Sequence, residues 1–226
     1  MTQRPALLIT PRHLGPLSAF LESNYDVYRL WEAPPLEATP DVQVVVTAGE
    51  YPLDRELLEK LPNLSLVACF TAGYEGIDLD WCRQHNIPVT HAPNVNHEDV
   101  ADHAMGLIIG SRRNIASGDR LIRNDEWTPE LRILSPSLRN QRLGIIGLGA
   151  IGEAIASRAA AFGMAVSWWG PRPKDSPWPR AESLNDLARQ SDILVVACRA
   201  DDTNHHMINA EILKALGPDG LLVNVS

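Results

Sequence analysis

The feature that most constrains the fold is the stretch RLGIIGLGAIGEAIASRAAAFGMAV, which begins at Arg142. A short run of branched apolar residues ends at Gly147. Gly149 and Gly152 follow, and the chain then continues in small, helix-forming residues. A G-x-G-x-x-G pattern is informative only where it follows a strand and opens a helix, and this one does both. Gly147 permits a tight turn. Gly149 has no side chain, so backbone can approach a diphosphate. Gly152 lets helix and strand pack closely. The unpaired N–H groups at the start of such a helix attract an anion. The turn therefore predicts a dinucleotide site on a βα unit.

The rest of the chain supports that reading. Candidate strands at 6–10, 25–30, 42–47, 65–70 and 88–91 alternate with helical runs at 14–23, 54–61 and 78–86. Pro34, Pro35 and Pro40 mark a loop. Apolar residues from Val100 to Ile122 recur at helical spacing, as one long helix or two abutting ones. A Pro-containing extended arm runs from Trp127 to Asn140. The βα alternation then restarts, with strands at 141–147, 164–169, 192–198 and 220–225 and helices at 150–162, 183–190 and 209–216. Such alternation predicts α/β architecture with doubly wound parallel sheets. We divide the chain into a first domain over 1–95 and a dinucleotide-binding domain over 96–226, whose sheet is incomplete.

Composition narrows the function classes. The chain has 45% apolar and 21% charged residues and a net charge of −8. A negative balance argues against nucleic acid as a partner, because phosphate binding needs a basic surface. No apolar run reaches the roughly 20 residues of a membrane span. Three scattered cysteines suggest neither a disulfide framework nor a zinc site, and the cytoplasm is the default compartment. His85, His91, His97 and His103 are spaced by six and share no helical face, so no metal is expected. Ala101 occupies the position where an H-E-x-x-H motif would need its second histidine.

The second strand of the dinucleotide unit ends at Gly170, 18 residues beyond Gly152, with no acid at its tip. An NAD site usually has Asp or Glu there to bind the ribose 2′-hydroxyl. Arg172 and Lys174 follow instead, and a guanidinium can grip a 2′-phosphate in fork geometry. NADP(H) is therefore favoured over NAD(H). Two other readings stay open: Arg172 and Lys174 as solvated loop charges, or Asp175 swinging in to serve NAD.

At this point the chain resembles the D-isomer-specific 2-hydroxyacid dehydrogenases, and most closely their glyoxylate/hydroxypyruvate reductases. The segments that carry the likeness are ACFTAGYEGIDLDWCRQHNIPVTHAPNVNHEDVADHAMGLIIGSRRNI, RLIRNDEWTP, SLRNQRLGIIGLGAIGEAIASRAAAFGM and SDILVVACRADDTNHHMINAEILKALGPDGLLVNVS. They run in collinear order over nearly the whole chain. The resemblance implies a flavodoxin-like substrate domain beside the Rossmann domain, and hydride transfer between NAD(P)H and a small 2-oxo or 2-hydroxy acid. It places substrate contacts on Ala72, Gly73 and Asn96, the first two in a glycine-bearing turn that can form an anion-binding nest. It adds Ala150, Ile151, Cys198, Val225 and Ser226 to the coenzyme contacts. It also implies a homodimer joined through residues 97–140, with Leu107, Ile108 and Trp127 buried against a partner or, alternatively, within the chain.

The family's catalytic arginine is expected immediately after Ser226, with its glutamate and histidine further on. The expectation is thus a C-terminally truncated chain, with no catalytic residue among 1–226 and inactive alone, ending in an apolar strand edge over 221–225. The alternative function is a dinucleotide-sensing regulatory module of the same fold.

Overall fold

The computed structural model describes residues 4–32, 41–131, 134–201 and 203–226. The proline loop at Pro34, Pro35 and Pro40 lies outside them. The chain falls into two compact units, Met1–Val95 and Asn96–Ser226. Among the described residues no helix is long and apolar enough to cross a membrane.

The first unit is a five-stranded parallel sheet. Its strands are β1 (Ala6–Ile9), β2 (Asp26–Arg29), β3 (Val42–Thr47), β4 (Leu66–Cys69) and β5 (Val89–Thr90), in the order β2-β1-β3-β4-β5. This is the flavodoxin-like order. All four residues of β1 are buried because the sheet is covered on both faces. Ala6 and Leu8 join a core with Val45, Val67 and Trp81, while Leu7 and Ile9 join another with Leu14 and Val46.

The helix expected over 14–23 forms differently. A 3₁₀ helix over Arg12–Leu17 leads into the single α turn α1 (Ser18–Leu21). Pro16 lies inside the 3₁₀ segment and lacks the N–H an α-helix would require. The next helices, α2 (Arg55–Glu59) and α3 (Leu79–Gln84), are each opened by an aspartate. The Asp54 carboxylate accepts from the Glu56 N–H and the Asp78 carboxylate from the Trp81 N–H.

The second unit begins with α4 (His97–Arg112) and α5 (Ile115–Arg123). The sequence left one helix or two open; there are two. Asn114 adopts φ 53°, a left-handed backbone that ends one helix and starts the next, and its side-chain amide donates to Ser135 Oγ at 2.9 Å. The parallel sheet follows, with β6 (Arg142–Ile146), β7 (Ala165–Trp169), β8 (Ile193–Val196) and β9 (Leu221–Asn224) in the order β7-β6-β8-β9. The intervening helices are α6 (Ala150–Ala161), α7 (Leu184–Arg189) and α8 (Ala210–Leu216).

All four residues of β8 are buried, and they alternate between two cores. Ile193 and Val195 pack with α4 and α6, while Leu194 and Val196 pack with α7 and α8. Each such side chain contributes roughly 1.5–3 kcal/mol by leaving water. Ile108 is fully buried in the first of these cores. This corrects its place in the dimer expectation: the Ile108 side chain is taken up within the chain, whereas Leu107 and Trp127 are exposed.

An ion pair ties the amino-terminal edge of the sheet together. Arg142 Nη2 donates to Asp192 Oδ1 at 2.6 Å, and the Arg142 N–H donates to Asp192 Oδ2 at 2.8 Å. The hydrogen bonds from Arg142 hold the Asp192 carboxyl below the usual carboxylate range, against the opposing effect of burial. A carboxyl depressed in the folded state stabilises the fold fully above its unfolded pKa, about 3.9, and loses that contribution as pH falls through the lower folded value. Asp192→Asn is expected to lower the melting temperature at pH 7 and to lessen the further loss on acidification below about pH 4. Thermal denaturation between pH 7 and pH 2, variant against parent, measures both effects.

Candidate functional site

The glycine turn joins β6 to α6, and its geometry is set by close contacts. Gly147 has φ 91°, a backbone that side chains rarely allow, and a Cβ there would lie 2.7 Å from the Cys198 Cα. A Cβ on Gly152 would lie 2.2 Å from the Gly147 carbonyl oxygen and 3.3 Å from Ile145 Cγ2. Helix and turn therefore touch backbone to backbone. Gly149 is different: a Cβ on it would meet nothing within 4 Å. Two glycines close the turn and the third leaves it open on one side, as close approach by a bulky anion requires.

That open side faces a groove of about 640 Å³ at the carboxyl ends of β6, β7 and β8. In the sheet order, β7 and β8 flank β6, so the chain reverses direction across the sheet at this point. Such a switch point is where open α/β sheets bind ligands. Gly147, Gly149, Arg172, Lys174 and Cys198 line the groove together. Other coenzyme candidates stand elsewhere. Ala150 opens α6, and Ile151 packs on the core. Gly170 is buried at the tip of β7, where its carbonyl accepts from Arg180 Nη2 at 2.7 Å. Val225 continues the β8–β9 ladder and packs on the core, while Ser226 lines a smaller neighbouring cavity.

The two basic residues behave differently. Arg172 is exposed. Lys174 folds back across the glycine turn, where its Nζ donates to the Leu148 carbonyl at 3.0 Å and pairs with Glu153 Oε1 at 2.6 Å. A 2′-phosphate would have to compete with Glu153 for this ammonium. Burial pushes the Cys198 thiol up, so it lines the groove as a neutral group. Sequence reasoning missed the loop after β8. Arg199, Asp201, Thr203, Asn204 and Met207 form one wall of the groove, and the Asp201–Thr203 and Asn204–Arg199 hydrogen bonds brace it. Nothing in the spacing of these residues places the loop beside Gly147. Trp168 is buried, and its indole N–H donates to the Trp178 carbonyl.

The first unit has its own loop at the carboxyl end of β4, over 71–74. None of these residues has positive φ, so the left-handed residue of an anion-binding nest is missing. This corrects the expected nest: the peptide planes are held through their carbonyls instead. The Thr71 carbonyl accepts from the Ala92 N–H at 3.1 Å, and the Ala72 carbonyl accepts from His91 Nδ1 at 2.9 Å. The Gly73 carbonyl accepts from Thr71 Oγ1 at 3.1 Å and from the Cys69 thiol at 3.1 Å. Among the described residues, the N–H groups of Ala72 and Gly73 have no hydrogen-bond partner. Glu75 stands close by, with Oε2 2.5 Å from where a Gly73 Cβ would project. Asn96 opens the second unit at the N-cap of α4, and its side chain makes no capping bond.

Comparison with known proteins agrees with this geometry. Residues 105–226 match the family described as D-isomer specific 2-hydroxyacid dehydrogenase, NAD binding domain. The chain is 35% identical over 220 residues to a glyoxylate/hydroxypyruvate reductase A from Arabidopsis thaliana, covering 93% of this chain and 70% of that protein. A solved NADPH-dependent glyoxylate/hydroxypyruvate reductase from Sinorhizobium meliloti, in complex with NADP and malonate, superposes with a TM-score of 0.88. It is 31% identical, covering 98% of this chain and 71% of the other. A dehydrogenase from Rhizobium meliloti is 40% identical at a TM-score of 0.81, covering 97% and 76% of the two chains.

The contacts of the glycine turn separate two substitutions. Gly152→Ala forces α6 off the turn and is expected to destabilise the fold by about 1–3 kcal/mol, as overpacking does. Gly149→Val fills only the open side, so it is expected to keep the melting temperature within a few degrees and to abolish dinucleotide binding. Thermal melts paired with calorimetry against NADPH and NADH distinguish the two.

Proposed function

The chain belongs to the D-isomer specific 2-hydroxyacid dehydrogenase family, and from that premise we propose that it binds NADP(H) in preference to NAD(H) and takes a small 2-oxo acid of the glyoxylate or hydroxypyruvate class as its substrate. Family members are NAD(P)-dependent dehydrogenases and reductases acting on CH–OH donors. The observation that carries the reading is the open Gly149 beside the backbone contact of Gly147 and Gly152, at the switch point of the second sheet. When bound, the nicotinamide coenzyme supplies or accepts the hydride.

The chain's own residues do the binding. The first N–H groups of α6 and the bare backbone at Gly149 receive the diphosphate. Arg172, exposed at the groove, meets the 2′-phosphate, and no carboxylate at the tip of β7 opposes it. Cys198, with its neutral thiol, and the loop after β8 shape the opposite wall. In the first unit, the free N–H groups of Ala72 and Gly73 donate to the substrate carboxylate. α5 has no buried residue, and Ile115, Ile122, Trp127 and Leu134 are exposed on α5 and the arm. A second copy of the chain is the proposed partner of that apolar surface, giving a homodimer.

Calorimetry with both coenzymes tests the central reading. NADPH is expected to bind more tightly than NADH, and a folded chain with affinity for neither overturns the proposal. Arg172→Ser is expected to weaken NADPH roughly five- to tenfold, the loss of one charge-assisted contact, and to leave NADH nearly unchanged. Glu75→Gln removes a like charge beside the Ala72–Gly73 amides, worth about 0.5–1 kcal/mol in exposed surroundings, and is expected to tighten glyoxylate binding about threefold.

A further inference from the structure

We propose that His91 is a positioning residue that aims the Gly73 N–H at the substrate carboxylate. This rests on the carboxylate-binding role proposed for Ala72 and Gly73, and it names the side chain that makes the role possible.

The argument begins with the peptide unit. The Ala72 carbonyl and the Gly73 N–H belong to one planar amide. No peptide bond in the described chain is cis, so the two groups point in opposite directions. Whatever fixes the carbonyl therefore also fixes the N–H. His91 Nδ1 lies 2.9 Å from the Ala72 oxygen. A carbonyl can only accept, so Nδ1 is the donor and carries the proton. The preceding amide is held in the same way, chiefly by backbone: the Ala92 N–H donates to the Thr71 carbonyl at 3.1 Å, and the Cys69 thiol lies 3.7 Å from the same oxygen. Both carbonyls are thus drawn to the adjacent residues His91 and Ala92, just after β5, and both N–H groups turn away from them. This replaces the left-handed turn that a nest would use. The Ala72–Gly73 plane is anchored by a side chain, whereas its neighbour has a backbone donor.

The surroundings hold the imidazole itself. Its ring sits edge-on to Tyr74, with centroids 4.9 Å apart. On the far side of the loop, the Thr71 hydroxyl accepts from the Gly49 N–H at 2.7 Å and donates to the Gly73 carbonyl. The carbonyls of 71, 72 and 73 are all satisfied, and the N–H groups of 72 and 73 remain for a ligand. Donation from Nδ1 also polarises the amide, which strengthens its N–H as a donor.

The test uses the 226-residue chain labelled with ¹⁵N, titrated with glyoxylate and followed at the Gly73 amide. His91→Phe keeps a ring against Tyr74 and removes the donor; His91→Asn retains an N–H donor. His91→Phe is expected to weaken glyoxylate binding about five- to tenfold, the loss of one hydrogen bond's alignment, and to shift the Gly73 amide proton upfield. His91→Asn is expected to restore binding to within about threefold of the parent. Equal binding by parent and His91→Phe overturns the proposal, as does failure of His91→Asn to exceed His91→Phe. The imidazole ¹⁵N spectrum of the unmutated chain gives a check that needs no variant: Nδ1 is expected to be protonated in the neutral ring, and a bare Nδ1 overturns the proposal. If the parent's Gly73 amide does not respond to glyoxylate, the carboxylate reading itself fails and takes this inference with it.

Discussion

Everything in the second unit depends on the contact between the Gly147 carbonyl and the Cα of Gly152. With no side chain at residue 152, α6 sits directly on the turn that precedes it. The consequences run outward. Apart from Ile155, the buried face of α6 is made of small residues, with Ala154, Ala156 and Ala159, so α4 can also come close through Ala101 and Ala104. Arg158 then reaches from α6 to Glu98 and Asp102 in the first turns of α4, at 2.6 and 2.7 Å. One methyl group at residue 152 would press on backbone rather than on a flexible side chain, and nothing nearby can yield cheaply.

The same contact sets the electrostatics of the groove. It brings the start of α6 to the carboxyl edge of the sheet, where unpaired N–H groups and the helix dipole favour an anion. The groove supplies its own counterbalance. Glu153, in the first turn of α6, meets Lys174 from the loop after β7. The ammonium is held over the turn with its carboxylate partner, while Arg172 carries an exposed charge. In the first unit, the carbonyls of Ala72 and Thr71 are instead anchored by His91 and Ala92.

Much of this was legible in the sequence because the requirements were local. The strand before Gly147, the spacing of the glycines and the small residues after them are each a short-range condition, and all were met. Strand and helix positions agreed to within a few residues, because apolar alternation and aspartate or serine caps act over a single turn. Asn114 shows the limit. A helical run from Val100 to Ile122 was visible, but the choice between one helix and two depended on the left-handed backbone of Asn114 and its bond to Ser135, 21 residues away. Ile108 and Leu107 are adjacent and both apolar, yet only Ile108 is in the core, because α4 turns that face toward β8 and α6.

By itself, then, the sequence determined the parallel α/β architecture, the dinucleotide turn and the absence of an acid at the tip of β7. These follow from periodicity and from residues a few positions apart. Tertiary structure alone decided that Glu153 would hold Lys174 and that the loop after β8 would wall the groove. It also decided that the amides of Ala72 and Gly73 would be aimed by their carbonyls rather than by a nest. The physical reason is the same in each case. A hydrogen bond or ion pair between groups some 20 or more residues apart leaves no periodic trace in the chain, and it exists only once the sheet has set the loop ends side by side.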